Sequence, residues 1–203
     1  MLEFFEFVMQ GGVIMLPIIF CSVLALGIIC ERLVNLRRKR LISYDLLSRI
    51  EAFLQEQKIP EAMTLCKRHE SPMTRILLVA ILNYDCSKPE IKEMLEEQGR
   101  QEVPVLERNL TTLGTIASIS PFLGLLGTVV GLLKVFAAIA QSGGTSNPAI
   151  LSEGIHNALI TTVGGLCVAI PALVAYNYFI RQAEGLILEM ERVSLRLLNI
   201  LKR

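Results

Sequence analysis

Charge is missing from three long stretches of this 203-residue sequence, although 19% of its residues are charged and 52% are apolar. Residues 7–30, 109–133 and 154–180 contain no Asp, Glu, Lys or Arg. Each stretch exceeds the roughly 20 apolar residues with which a helix crosses a bilayer core of about 30 Å. Lipid favours helix because it offers no partner to an open backbone group. This distribution excludes a disordered chain, a disulfide-stapled secreted domain and an ordinary soluble enzyme, and it predicts an all-α integral membrane protein.

Two alternatives fit these stretches less well. Buried helices of a soluble bundle usually keep one polar face. A signal peptide has a basic start and a short apolar core of about 7–15 residues, whereas here Glu3 and Glu6 precede a longer core and the basic residues follow it. We therefore expect residues 7–30 to be a retained transmembrane helix.

Motifs that carry chemistry are also scarce. The sequence has two His and five Cys and lacks CxxC, HExxH and GxSxG motifs, so we expect no metal, no cofactor and no enzymatic activity. The glycine-rich run 124–131 lacks the Gly-Lys of a phosphate loop, and packing explains it better. The cysteines fall in the spans and in segment 31–108 (Cys21, Cys30, Cys66, Cys86 and Cys167). Because none lies in a clear extracytoplasmic loop, we expect no disulfide.

The basic residues predict the orientation. Segment 31–108 and the tail together hold 19 of the 20 Lys and Arg residues, and Lys134 alone lies elsewhere. The positive-inside rule makes their side cytoplasmic. The net charge is only +1, and acids are interleaved with the bases, so no nucleic-acid partner is expected. The predicted order is a periplasmic N-terminus (1–6), a first span (7–30), a cytoplasmic helical segment (31–108), a second span (109–133), a periplasmic loop (134–153), a third span (154–180) and a cytoplasmic C-terminal helix (181–203).

Helical spacing and start signals predict four helices in segment 41–108. They open near Ser43, Pro60, Ser71-Pro72 and Ser87, since Ser suits the N-cap and Pro the first turn. The last of these helices is expected to run into the second span, with Pro104 as a kink. The third span and the tail are expected to form one helix. Its apolar stripe, from Leu186 to Leu201, would pack either on the segment 41–108 helices or on another subunit.

Small residues distinguish the second and third spans from the first, which is rich in Ile, Leu and Val. Because small side chains let helix backbones approach closely in lipid, these two spans are expected to lie in a protein interior. At about 100° per residue, one face of the second span carries Ala117, Pro121, Gly124, Thr128 and Gly131. The corresponding face of the third span carries Ala158, Thr162, Gly165, Ala169 and Tyr176.

Each small face carries one threonine near mid-span, Thr128 or Thr162. Such a hydroxyl can bond to its own backbone four residues back, or it can line a path for water or ions. A proton path usually needs an ionisable group in the membrane. The three stretches contain no Asp, Glu, Lys or Arg, and His156, the nearest candidate, lies near the outer end of the third. The carrier would then come from another polypeptide, and a pore of useful size would need a ring of subunits.

The run Gly124-Leu-Leu-Gly127-Thr128-Val-Val-Gly131 resembles the second-span motif of the MotA/TolQ/ExbB proton-channel family. The third-span motif is similar to Gly154 through Thr162 followed by Ala169-Ile-Pro171-Ala172 and Tyr176-Asn177. The three-span layout, with its N-terminus outside, resembles the TolQ/ExbB branch.

This resemblance implies a subunit of a motor in the bacterial inner membrane. Family members form a homopentamer whose second and third spans line a channel. An ExbD- or TolR-like single-span partner inside that channel supplies a membrane Asp. Proton flow then drives work on a TonB- or TolA-like protein. Thr128 and Thr162 match the channel-lining threonines of the family. The remaining candidate pore or partner contacts are Pro121, Gly124, Gly131, Ala158, Gly165, Ala169 and Tyr176.

One position departs from the family pattern. Members often carry a Glu five residues before the third-span threonine, and here that position is Asn157. An amide can hydrogen-bond but cannot titrate, so Asn157 enters the predicted ion pathway without that acid. The alternative is an oligomeric membrane scaffold that does not conduct. The downstream process, whether nutrient uptake, envelope maintenance or motility, stays open.

Overall fold

The computed structural model describes residues 12–36, 43–141 and 148–202, and these ranges contain α-helices joined by short turns. The helices are α1 (Met15–Asn35), α2 (Tyr44–Gln55), α3 (Ile59–Arg68), α4 (Pro72–Leu82), α5 (Lys88–Glu107), α6 (Leu110–Gln141) and α7 (Pro148–Leu201). Three of them contain segments long and apolar enough to cross a membrane, namely Met15–Val34, Leu110–Gln141 and Leu151–Leu201. The predicted all-α class with three long apolar helices is confirmed. The span boundaries and the side on which each end lies stay predictions.

The chain divides into two compact units. The first, here called the membrane unit, comprises residues 1–31 and 109–178 and so contains most of α1, all of α6 and the first part of α7. Large apolar side chains cover its outside, among them Phe122 at 70% and Val174 at 66% exposure. Apolar surface of this extent is costly in water and suits contact with lipid. Met15 of α1 packs on α7, where its Cε lies 3.0 Å from the place that a Cβ on Gly164 would take.

The second unit, here called the helical unit, comprises residues 32–108 and 179–203. Its helices α2 to α5 pack in sequence order, each against the next. Two start signals act as predicted. Ser71 accepts a hydrogen bond from the Thr74 backbone N–H, and the Ser87 N–H donates to the Glu90 carboxylate, so capping boxes open α4 and α5. Ser43 is the N-cap residue of α2 but makes no side-chain capping bond.

Helix α7 runs unbroken from the membrane unit into the helical unit, as predicted. Its apolar stripe is buried within the same chain, with Ala183, Leu186, Met190 and Leu197 at 0–3% exposure. Polar bonds hold the helix to others of the unit, including Arg196 Nη2 to Glu51 Oε2 at 2.9 Å. Of the two alternatives for this stripe, packing on the segment 41–108 helices is therefore the one observed.

The predicted continuation of α5 into the second span is wrong. Helix α5 ends at Glu107 and α6 begins at Leu110, because Asn109 adopts a left-handed conformation with φ of 61°. Asn tolerates this region better than most residues. The break frees carbonyls at the end of α5, and the buried Arg32 guanidinium donates to one of them, the Leu106 oxygen, at 3.1 Å. Pro104 lies inside α5, before the break.

Candidate functional site

At two glycines the backbones of α6 and α7 come into direct contact. A Cβ on Gly165 would lie 2.5 Å from the Ser120 carbonyl oxygen and 3.1 Å from the Gly124 Cα. A Cβ on Gly124 would lie 2.9 Å from both the Thr161 oxygen and the Thr162 Cα. These neighbours are backbone atoms, which cannot rotate away, so both positions require glycine. We call this point the crossing of α6 and α7.

The small face of α6 continues the contact on both sides of the crossing. A Cβ on Gly131 would meet the Ala158 Cβ at 2.7 Å, and one on Gly114 would meet the Tyr176 ring at 3.0 Å. Without a hydrophobic driving force between helices in lipid, such close packing supplies much of the association energy. The small faces of the two spans therefore form a helix–helix seam within one chain.

Two threonine hydroxyls meet one carbonyl at the crossing. Thr162 Oγ1 donates to the Gly124 oxygen across the seam at 3.1 Å. Thr161 Oγ1 lies 3.2 Å from the same oxygen and 2.7 Å from the Ala158 oxygen of its own helix. Thr128 differs, since its hydroxyl donates to the Leu125 oxygen three residues back on α6 at 2.7 Å. Thus Thr128 bonds to its own helix, whereas Thr162 links the two helices.

The structure brings most of the predicted site residues together along the seam. Gly124, Gly131, Ala158, Gly165 and Tyr176 contact the facing helix. Their role in lining a channel or contacting a partner stays a prediction. Thr162 also contacts the facing helix, through its bond to the Gly124 oxygen. Of the other predicted residues, Ala169 is buried, and Pro121, Thr128 and Asn157 are half-buried.

Thr161 and Gly127 were missed by the sequence reasoning. A Cβ on Gly127 would collide with Thr161 Oγ1, and Thr161 is only 2% exposed. The four-residue spacing from Asn157 to Thr161 was the available signal, because such a pair shares a helix face.

A cavity of about 390 Å³ opens at the Pro148 end of the seam. It lies between α6 and α7, and residues 12–14 before α1 close part of its wall. Its polar lining consists of Lys134 from α6 and Glu153, Asn157 and Thr161 from α7. The three α7 residues follow at intervals of four, so they form one row that leads from a carboxylate through an amide to the crossing.

Charge in the described part of the membrane unit is confined to the two ends of its helices. Glu31 lies at one end, and Lys134 and Glu153 lie at the other with the imidazole of His156. Among residues 12–36, 43–141 and 148–202, no cluster of His, Cys, Asp or Glu could hold a metal ion. Between the charged ends, the seam presents hydroxyls, the Asn157 amide and the Gly124 carbonyl, which can pass or orient hydrogen bonds.

Comparison with known proteins finds sequence similarity over the region that contains both motifs. The model of the MotA/TolQ/ExbB proton channel family matches residues 68–192. A Synechocystis protein described as ExbB-like 3, of biopolymer transport, is 35% identical over 178 residues, covering 84% of this chain and 82% of its own. The Vibrio cholerae biopolymer transport protein exbB1 is 30% identical over 172 residues, covering 81% and 73%. Salmonella typhimurium ExbB is 53% identical over 70 residues, covering 34% of this chain and 28% of that protein.

Proposed function

Because the chain belongs to the MotA/TolQ/ExbB proton channel family, we propose that it is the ring-forming subunit of a motor driven by the proton-motive force. The chain is a multi-pass membrane protein of the ExbB-like branch with a role in biopolymer transport. The proposed motor is a homopentamer that encloses an ExbD- or TolR-like single-span partner. Proton flow through it performs work on a TonB- or TolA-like protein.

The observation that carries this proposal is the polar but uncharged interior of the helix pair. The crossing presents the Gly124 carbonyl and the hydroxyls of Thr161 and Thr162. Inward of Lys134 on α6, and of Asn157 on the membrane part of α7, there is no Asp, Glu, Lys, Arg or His. Proton transport through a membrane usually needs a titratable group at depth. A partner Asp supplies that group in the proposed mechanism, and the threonine hydroxyls stabilise the proton and its water.

Thr162 is the residue on which the proposal depends most. Its side chain is half-buried, and its hydroxyl bonds across the seam. It can therefore also exchange hydrogen bonds with water or with the carboxylic acid of the partner enclosed by the proposed pentamer. Thr128 is half-buried and bonds to its own helix, and we assign it a second position along the same path. Asn157 lies outward of both and contributes an amide at the mouth.

The test is proton flux in proteoliposomes that contain the chain together with its single-span partner. Thr162→Val keeps the shape of the side chain and removes the hydroxyl, so we expect flux to fall at least tenfold, whereas Thr162→Ser retains it. Thr115→Val is the matched control, because the Thr115 hydroxyl is exposed and bonds only to the Thr111 oxygen of its own helix at 2.9 Å. Wild-type flux in Thr162→Val would remove this residue from the mechanism.

Orientation and location are part of the same proposal. We place the chain in the inner membrane with its N-terminus and the 134–153 loop in the periplasm and the helical unit in the cytoplasm. The support is the distribution of Lys and Arg, with 19 of 20 in segments 31–108 and 181–203. Protease protection of tags placed at the two ends of the chain in inverted vesicles tests it.

A non-conducting scaffold is the second candidate, and Asn157 is the observation that favours it. An amide at the mouth of the seam cannot replace a titrating carboxylate. The same proteoliposome assay separates the two functions, because a scaffold would assemble with its partner and yet carry no proton flux in the wild-type protein.

A further inference from the structure

We propose that the cavity at the Pro148 end of the seam is a water-filled vestibule in which Glu153 exchanges protons with the periplasm. This inference rests on the proposed function for its ion and its orientation. It assigns a role to a residue that matches no part of the family motifs, and it locates the path of proton uptake inside a single chain.

The geometry of α7 is the first observation that supports this proposal. Glu153, Asn157 and Thr161 recur at intervals of four and all line the cavity, so their Cα atoms rise about 6 Å at each step along one face. The row begins at an exposed carboxylate, passes a half-buried amide and ends at a hydroxyl that is 2% exposed. Exposure therefore decreases steadily from the mouth to the crossing.

The contacts at the inner end of the row are the second observation. Thr161 Oγ1 approaches the Gly124 oxygen at 3.2 Å, and Thr162 Oγ1 bonds to that same oxygen at 3.1 Å. The bottom of the cavity therefore shares one acceptor with the threonine that we place on the ion path. Water at the bottom of the cavity would therefore contact Thr161, which is connected to Thr162 through the Gly124 oxygen.

The charges around the cavity are the third observation. Glu153 is the carboxylate in the lining, Lys134 faces it from α6, and residues 12–14 contribute no titratable group. His156 is exposed on α7 and does not line the cavity. Asn157 cannot titrate, and Glu153 is the one carboxylate among the described residues of this lining. In the proposed step it takes a proton from bulk water and releases it to water inside the cavity. No other bond changes in that step.

Chemical labelling tests the vestibule without any measurement of flux. The full-length chain, in a background with its five cysteines replaced, carries Asn157→Cys or Leu159→Cys. The probe is a membrane-impermeant cationic thiosulfonate added from the periplasmic side. We expect Asn157→Cys to react at least tenfold faster than Leu159→Cys. Leu159 is 56% exposed on the apolar outer surface, where lipid would exclude the cationic probe. Equal rates, or reaction from the cytoplasmic side alone, would overturn the inference.

Electrostatics adds a sharper readout to the same experiment. A unit charge about 6 Å away in water changes the local concentration of a monovalent cation about threefold. Glu153→Gln changes the reactivity of the thiol equally for all probes, so the readout is the ratio of labelling rates of Asn157→Cys with the cationic probe and with a neutral one. This ratio should fall about threefold. Equal effects on the two probes would mean that the carboxylate does not face the cavity.

Flux measurements then test the role of Glu153 itself. In proteoliposomes with the partner, we expect Glu153→Gln to lower flux at least tenfold, Glu153→Asp to retain it and His156→Gln to leave it unchanged. Moving the carboxylate one turn inward with Glu153→Gln and Asn157→Glu together should restore flux. Wild-type flux in Glu153→Gln overturns this inference and leaves the proposed function standing. A wild-type complex without flux refutes the proposed function, while the labelling result stands on its own.

Discussion

Replacing Gly165 with alanine tests the seam most directly. The added Cβ would lie 2.5 Å from the Ser120 carbonyl oxygen and 3.1 Å from the Gly124 Cα. Both are backbone atoms, so only a movement of the helices can relieve the contact. Reaching an ordinary carbon–oxygen contact of about 3.4 Å would part α6 and α7 by about 0.9 Å, and a gap of that size loses a quarter to a half of the dispersion attraction across it.

The hydroxyl bonds at the crossing would be lost in the same movement. Thr162 Oγ1 and Thr161 Oγ1 lie 3.1 and 3.2 Å from the Gly124 oxygen, and both distances would exceed hydrogen-bonding range. Overpacking costs about 1–3 kcal/mol, and each interhelical bond in a membrane adds about 0.6 kcal/mol. The higher helix propensity of alanine offsets about 1 kcal/mol, so the net loss of stability is about 1–3 kcal/mol.

Thermal unfolding of the purified protein in a mild detergent, followed by circular dichroism, measures this loss. Each kcal/mol should lower the apparent Tm by about 2–4 °C for a chain of this size. The matched control is Gly27→Ala, since a Cβ on Gly27 of α1 would meet nothing within 4 Å. We expect its Tm to be unchanged or raised. A Gly165→Ala protein as stable as Gly27→Ala would refute the close packing of α6 on α7.

Two further predictions concern the helical unit. Arg75→Met should destabilise the protein by about 3 kcal/mol in the same unfolding assay. It removes the cation that pairs with the Glu102 carboxylate, which is 5% exposed and accepts from Arg75 at 2.8 Å, and leaves it the neutral donor Gln98. Arg196→Met removes a partner that is 70% exposed and should cost less than about 1 kcal/mol, so equal costs would contradict the burial argument. Burial raises the pKa of the Cys66 thiol to about 11, so this thiol should be alkylated far more slowly in the folded than in the unfolded protein at pH 8. Equal alkylation rates in the two states would refute the burial of Cys66. Between pH 9 and 11 the folded state keeps a thiol proton that the unfolded state releases. The stability contributed by Cys66 should therefore be present below pH 9 and lost as the pH rises toward 11.

Sequence reasoning succeeded where the signal is local. A long stretch without charged residues directly indicates a helix in contact with lipid. Ser71 and Ser87 each begin a helix by bonding to residues three positions away. It failed between α5 and α6, where no Gly or Pro marks the break. There the left-handed Asn109 interrupts the helix, and Arg32, distant in sequence, satisfies the freed Leu106 carbonyl. Such a stop depends on a tertiary contact that a periodicity argument does not contain.

The candidate site shows the same division. The small faces of α6 and α7 could be predicted from helical phase, because that phase is a property of each helix alone. That Thr161 packs on Gly127 while Thr162 bonds to Gly124 depends on how one helix is rotated against the other. Adjacent residues lie 100° apart, and the sequence offers no reference for that rotation.

One atom at the crossing contributes both to the stability of the helix pair and to the proposed ion path. The Gly124 oxygen accepts from Thr162 and lies at the bottom of the row that begins with Glu153. A separation of the helices would therefore break the proposed path at the point where it loses packing, and Gly165→Ala should lower proton flux as well as Tm. Thr162→Val should lower flux with a much smaller loss of stability, since it removes one hydroxyl and keeps the seam closed. If Gly165→Ala lost stability and conducted normally, the protons would travel along a route that does not pass the crossing.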